Sequence, residues 1–132
     1  MNDQNKDLLL DPFLIASAAG ILEGEGCFSI FRRKDRRKTC TVAIHCEMTD
    51  EDIIVKLYSI FNVGTVLTRP NMSGRQDRRE RKPTYIWSVQ NQAGFQLVCN
   101  AVLPYMGNRR TSKIHELLGY INEGIAPASN PT

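Results

Sequence analysis

No two of the four cysteines form a C-x-x-C pair: Cys27, Cys40, Cys46 and Cys99 lie 13, 6 and 53 positions apart, and only two histidines accompany them. That spacing argues against a structural zinc site and against a disulfide framework, and it predicts reduced, mostly buried thiols. Long apolar runs are missing as well, so no segment reads as a membrane span. Met1 to Asp11 is acidic and polar apart from Leu8-Leu9-Leu10. It has neither the basic start and long apolar stretch of a signal peptide nor the arginines of a transit peptide, which predicts an intracellular protein, cytoplasmic or organellar and not secreted. A length of 132 residues suits one domain with its own hydrophobic core.

Charge is present but unevenly spread. Residues 31 to 38 hold Arg32, Arg33, Lys34, Arg36, Arg37 and Lys38 against Asp35, and residues 69 to 82 hold Arg69, Arg75, Arg78, Arg79, Arg81 and Lys82 against Asp77 and Glu80. These two stretches carry 12 of the 17 basic residues although the whole chain is only +3, so the remainder is acidic. Either run alone also describes an ordinary solvated loop. Two of them, flanked by similar strand patterns, suggest a track for a polyanion.

Local patterns order the elements. Asp11-Pro12 predicts an N-cap and first helical residue, opening a helix that carries Phe13 through Leu22 and stops at the acids that follow. Cys27 to Arg33 alternates, with Phe28 and Ile30 inward, and Thr39 to Glu47 alternates likewise, with Val42, Ile44 and Cys46 inward. Together they predict a hairpin with a basic tip. Thr49-Asp50-Glu51-Asp52 signals a second helix, carrying Ile53, Ile54, Leu57, Tyr58 and Phe61 and ending before Gly64. A third strand spans Gly64 to Arg69, a fourth places Tyr85, Trp87 and Val89 on one face, Asn91 caps a helix through Leu103, and a last helix covers about Arg109 to Asn122. Trp87, Phe28 and Tyr85 share the inward face with other apolar residues and read as core and not as base-stacking groups. Residues 1–10 form an N-terminal extension, 11–123 the domain, and 124–132 a tail without a packing pattern.

The most informative stretch is Ala18-Ala19-Gly20-Ile21-Leu22-Glu23-Gly24-Glu25-Gly26. Small and apolar residues climb one helix, and two acids separated by a glycine arrive at its end. Glycines there let backbone approach closely and leave a carboxylate with little bulk around it, open to a divalent metal or a phosphate. Nine degenerate residues of this kind also describe a plain helix C-cap. The segment resembles the LAGLIDADG motif of homing endonucleases in its variant ending Gly-Glu-Gly, and residues 11 to 122 match the single-motif fold of that family in element order and approximate spacing. The resemblance implies an α+β fold, one αββαββα(α) domain with a four-stranded antiparallel, saddle-like sheet backed by helices.

What else it implies concerns function. Glu25 falls on the motif's last acid, the family's metal-binding catalytic position, with Gly24 in the same metal site, and Glu23 on the first acid, in a supporting or structural role. Mg²⁺ is the implied cofactor, with Mn²⁺ able to substitute. The outward sheet face implies a surface for double-stranded DNA made by Ser29, Phe31, Arg33, Thr39, Thr41, His45, Thr65, Arg69, Thr84, Ile86 and Ser88. Loop residues Lys34, Arg36, Arg37, Lys38, Arg75, Arg78, Arg79, Arg81 and Lys82 would meet phosphates. The face suits a major groove on its own chemistry, because arginine reads guanine, hydroxyls donate or accept, and small apolar groups meet thymine methyls. Thr39, Thr41 and Thr84 also fit plain strand propensity, and His45 also fits an ordinary partly exposed histidine.

In the family a basic residue stands just before the last helix. The stretch Pro104 to Lys113 aligns Arg109 there, with Lys113 as the alternative one helical turn on. An arginine stabilises phosphate charge but does not accept a proton. The glutamine with which some relatives position water has no match around Met48. Only one copy of the motif is present, which resembles the homodimeric branch, and cutting both strands of a duplex then needs two chains. Ala16, Ser17, Ala19 and Gly20, with Glu23, form the expected dimer surface, a small-residue face that permits close helix contact. The reading that follows is a homodimeric, Mg²⁺-dependent, site-specific DNA endonuclease with a roughly palindromic target. Its alternatives on the same scaffold are an intron RNA-binding maturase and a catalytically silent DNA-binding protein.

Overall fold

A computed structural model of the chain describes residues 11–32, 40–70 and 82–122. Asp11 opens helix α1 (Pro12–Glu25), its carboxylate accepting the Phe13 N–H at 2.8 Å with Pro12 at the first helical position. Ile15, Ala18, Ala19 and Leu22, three and four residues apart, form its buried face. The helix ends at the second of the two acids: it runs through Glu23 and Gly24 to Glu25, and at Gly26 (φ −85°, ψ 159°) the backbone becomes extended. An interior glycine costs a helix about 1 kcal/mol and does not terminate it. The stop is local: a Cβ on residue 26 would lie 2.9 Å from Leu22 Cδ2 and 2.9 Å from the Leu22 carbonyl oxygen, one helical turn back, so only glycine lets the chain turn directly against Leu22.

The turn leads without a loop into β1 (Gly26–Arg32), which pairs antiparallel with β2 (Cys40–Met48), matching Phe28 with Ile44 and Ile30 with Val42. The strands β3 (Thr65–Arg69) and β4 (Thr84–Val89) complete a four-stranded antiparallel sheet of order β1-β2-β4-β3. The expected inward set Phe28, Val42, Ile44, Cys46, Trp87 and Val89 is buried, and Ile30 and Tyr85 pack against it. Strand β3 is an exposed edge along its whole length.

Helix α2 (Glu51–Phe61) buries Ile54, Leu57, Ile60 and Phe61. Tyr58 is 37% exposed; the inward line runs 54, 57, 60–61. The helix ends at Asn62 in the left-handed region (φ 56°). Asn91 accepts the Gly94 N–H at 2.6 Å and opens α3 (Gln92–Val102), which a 3₁₀ turn at Leu103–Tyr105 ends one residue earlier than expected. Helix α4 (Asn108–Asn122) packs Ile114, Leu117 and Ile121 into the same core. The element order helix, two strands, helix, two strands, helix, helix is as expected. Among the described residues no helix is long and apolar enough to cross a membrane.

Of the described thiols, Cys46 and Cys99 are buried, and Cys27, on the side of β1 opposite Phe28 and Ile30, is exposed. Burial pushes the Cys99 thiol up to about 12 and Cys46 up to about 11, with the nearby Glu25 charge adding to the second.

One junction is expected to be intolerant of substitution. Gly64 has φ +88°, and a Cβ there would sit 2.5 Å from the Ser88 carbonyl oxygen and 3.1 Å from Trp87 Nε1. The same indole donates to the Val63 carbonyl at 2.9 Å and stacks on Phe61 with ring centroids 5.6 Å apart. Backbone strain alone costs about 1–3 kcal/mol. Gly64→Ala should therefore lower Tm by roughly 5–10 °C or more. Gly119→Ala, in α4 with open space around its Cβ, should leave Tm unchanged or raise it slightly. Equal melting of Gly64→Ala and the native chain would mean that the β3–β4 junction is slack.

Candidate nucleic-acid interface and cleavage site

The strand register assembles the outer face in rows. Cys27 of β1 lies beside His45 of β2, then Ser88 of β4 and Thr65 of β3; the next row is Glu47, Ile86 and Leu67, and the row after that pairs Thr84 with Arg69. Ser29 and Phe31 flank Ala43 and Thr41 at the other end. Phe31, Thr65, Arg69 and Lys82 are exposed, and Ser29, Thr41, His45, Thr84 and Ser88 are half-buried. Ile86 is only 6% exposed; its neighbour Leu67 presents the apolar surface in that row. Leu67 and Cys27 were missed among the expected surface residues, although the same alternation that selected Thr65, Arg69 and Ser29 points to them. Arg33, Lys34, Arg36, Arg37, Lys38, Thr39, Arg75, Arg78, Arg79 and Arg81 lie outside the described residues.

Glu47 interrupts this face with a negative charge. Thr84 Oγ1 donates to Glu47 Oε2 at 2.5 Å, Arg69 Nε stands 3.3 Å from the same oxygen, and His45 Nε2 stands 3.7 Å from Oε1. The Thr84 hydroxyl first, and the Arg69 and His45 charges after it, hold the Glu47 carboxyl below its ordinary value against the opposing effect of desolvation.

At the edge of the face α1 ends in Glu25, exposed and contiguous with the first residue of β1. The last intrahelical bond runs from the Gly26 N–H to the Leu22 carbonyl, so the carbonyls of Glu23, Gly24 and Glu25 lie beyond it. Glu23 faces elsewhere: its Oε1 accepts the Gly107 N–H at 3.0 Å, and its Oε2 lies 3.8 Å from Arg110 Nε. A hydrogen bond spanning 84 residues thus ties α1 to the turn that starts α4. Arg110 is 17% exposed, its guanidinium stands 5.9 Å from the Phe28 ring centroid, and its Nε is buried without a hydrogen-bond partner. A pocket of about 340 Å³ opens beside it, lined by Gly26, Cys27, Phe28, Arg109, Arg110 and Lys113. Both cations between which the alignment left a choice line this pocket, and Arg110, which sequence reasoning did not single out, lines it with them. Nothing in the sequence distinguishes Arg110 from Arg109; only the distant Glu23 and Phe28 do.

The proposed dimer surface is narrower than expected. Ala19 is 1% exposed within its own chain and belongs to the core, and Glu23 is engaged with Gly107 and Arg110. Ala19 is a correction: from residue 15 onward the α1 face toward the core takes every third or fourth position, and Ala19 falls on it. Ala16 and Gly20 are exposed and Ser17 is half-buried, and Gly20 and Gly24 have open space where a Cβ would be. Among the described residues no cluster of three or more histidine, cysteine, aspartate or glutamate side chains could hold a metal ion.

No family profile and no curated protein sequence matches this chain. Solved structures do. The homing endonuclease I-CvuI in complex with its target in the presence of Ca is similar at TM-score 0.67 and 20% identity over 85% of this chain and 68% of that one. A second I-CvuI complex, with Mg and uncleaved DNA, is similar at TM-score 0.63 and 22% identity, and the chain spans 66% of its length. The archaeal intron-encoded homing endonuclease I-Vdi141I complexed with DNA is similar at TM-score 0.64 and 16% identity over 85% of this chain and 70% of that one. The LAGLIDADG homing endonuclease I-GzeII in complex with its DNA target gives TM-score 0.62 and 12% identity over 86% of this chain and 37% of that one. With its open antiparallel sheet, its helix ending in Glu25 and these neighbours, the chain has the fold of the LAGLIDADG homing endonucleases.

Proposed function

We propose that the chain is a site-specific DNA endonuclease that acts as a homodimer and hydrolyses one phosphodiester in each strand of a roughly palindromic duplex. The observation that carries this reading is the junction of three features at one edge of the sheet: the exposed acid Glu25, the pocket lined by Arg109, Arg110 and Lys113, and the outer face of the strands. Similar proteins of this fold are homing endonucleases in complex with DNA.

The chemistry follows from the residue types. Duplex DNA lies along the outer face, where Arg69, His45, Ser29, Thr41, Thr65 and Ser88 meet base edges and Lys82 and the basic loops meet phosphates. Arg109 and Lys113 hold the phosphate to be cut and offset the charge that builds on it. Glu25 and the helix-end carbonyl of Gly24 are hard oxygen donors and fit Mg²⁺ or Mn²⁺, but one carboxylate per chain leaves most of the coordination sphere to a second chain, phosphate and water. When bound, the ion supplies an activated water and neutralises the leaving oxygen. No covalent nucleophile is required. Two strands need two such acids, and Ala16, Ser17 and Gly20 give α1 a surface on which a second copy can approach closely.

A supercoiled plasmid library carrying randomised inserts tests the proposal, with cut ends sequenced after incubation with Mg²⁺ or with EDTA. Both strands should be cut at one roughly symmetric sequence, and EDTA should abolish cutting. Cutting undiminished by EDTA would refute the metal role. Sequence-selective binding without cutting would identify a silent DNA-binding protein, and preference for structured intron RNA over duplex DNA would identify a maturase.

A further inference from the structure

An acid on a surface that must accept a polyanion needs a reason. Among the described residues of the outer strand face Glu47 is the single carboxylate, and like charge facing DNA costs affinity. Yet the side chain is not idle. It reaches diagonally across two strands: its register neighbours are Ile86 and Leu67, and the groups it touches, Thr84 and Arg69, sit one row away on β4 and β3. Thr84 and Arg69 meet the same oxygen, Oε2, while His45 approaches Oε1. Arg69 engages through Nε, which leaves the two terminal nitrogens of its guanidinium for another partner.

We infer that Glu47 is a positioning residue for sequence discrimination: its carboxylate fixes the direction in which Arg69 presents its terminal N–H fork to a base edge, and it does so at the expense of general affinity. The inference rests on the proposed DNA-binding role of the outer face. Arg69 is 59% exposed, and an arginine so exposed and untethered samples many rotamers and takes whatever phosphate is within reach, which adds affinity for every sequence. Anchored at Nε by Glu47, with Thr84 fixing the carboxylate in turn, it has one preferred approach, and a planar fork read in one orientation selects guanine. The acid thereby trades affinity for selectivity.

Competitive binding to a randomised duplex DNA library, sequenced after selection, tests this with the native chain, Glu47→Gln, Arg69→Ala and the double variant. Glu47→Gln keeps the size and can still accept from Thr84, but loses the charge that holds Arg69. It should bind non-selected duplex more tightly, steepen the salt dependence by about one phosphate contact, and reduce discrimination at one symmetric pair of positions by roughly tenfold. In the Arg69→Ala background the same substitution should change discrimination no further. Thr84→Val, which removes only the donor to the carboxylate, should shift selectivity in the same direction by less, and it covers the case in which Glu47→Gln folds poorly. Unchanged discrimination in Glu47→Gln while Arg69→Ala loses it would overturn the inference. A further shift in the Arg69→Ala background would also overturn it, because Glu47 would then be reading a base itself. Failure of the DNA-binding reading looks different: the native chain would select no sequence at all.

Discussion

Glu25→Gln is expected to reduce DNA cleavage by about a thousandfold or more while binding is retained. The estimate follows from removing a metal-holding charge worth several kcal/mol to the transition state. Glu25 is exposed at the last position of α1, so the isosteric amide removes no core contact and should alter stability by no more than about 0.5 kcal/mol. Affinity resides in the strand face and basic loops, which the substitution leaves alone. Glu23→Gln is the internal comparison: its amide oxygen can still accept the Gly107 N–H, but the charge facing Arg110 is gone, and cleavage should fall only modestly. Single-turnover plasmid linearisation in Mg²⁺ measures cutting, and mobility shift in Ca²⁺ measures binding. Full cutting by the Glu25→Gln protein would reduce this helix end to a structural feature.

Gly20→Arg is expected to convert a dimer of about twice 14.9 kDa into a monomer and to remove double-strand cutting with it. Within one chain the substitution is harmless: Gly20 is exposed and helical with open space around its Cβ, and arginine raises helix propensity by somewhat under about 1 kcal/mol. Between two copies it is not. Helices in contact stand about 8–10 Å apart, a separation at which a long charged side chain in the middle of the shared surface has neither room nor a partner. Sedimentation at micromolar concentration reads the assembly, and circular dichroism confirms that the helices persist. A native chain that remains monomeric even on DNA would remove the argument for two acids.

The two substitutions separate what was legible in the sequence from what was not. Periods of two and 3.6 are local properties, so the alternation in Phe28–Ile30 and Val42–Ile44–Cys46, the caps at Asp11 and Asn91, and the order of all eight major elements could be read from neighbouring residues. The fold class followed from that order. The end of α1 was legible as lying at the acids, but not which of the two glycines stops it: Gly24 is compatible with helix, and the stop falls at Gly26, against Leu22. Nor could the core face of α1 be separated from its free face at Ala19, since alanine and glycine carry too little hydrophobic signal to report a side.

The pairings that shape the candidate site were further out of reach. Glu23 and Gly107 are 84 residues apart, and Glu47, Arg69 and Thr84 come together only because the strand order places β4 between β2 and β3. The sequence by itself determined which residues point to the core, which carry charge, and where an acid-bearing helix meets a strand, since those depend on spacing along the chain. The tertiary structure alone decided which charges are compensated: Arg110 by Glu23 and Phe28, Glu47 by Arg69 and Thr84. Charge pairing depends on distance in space, and strand order and register set that distance.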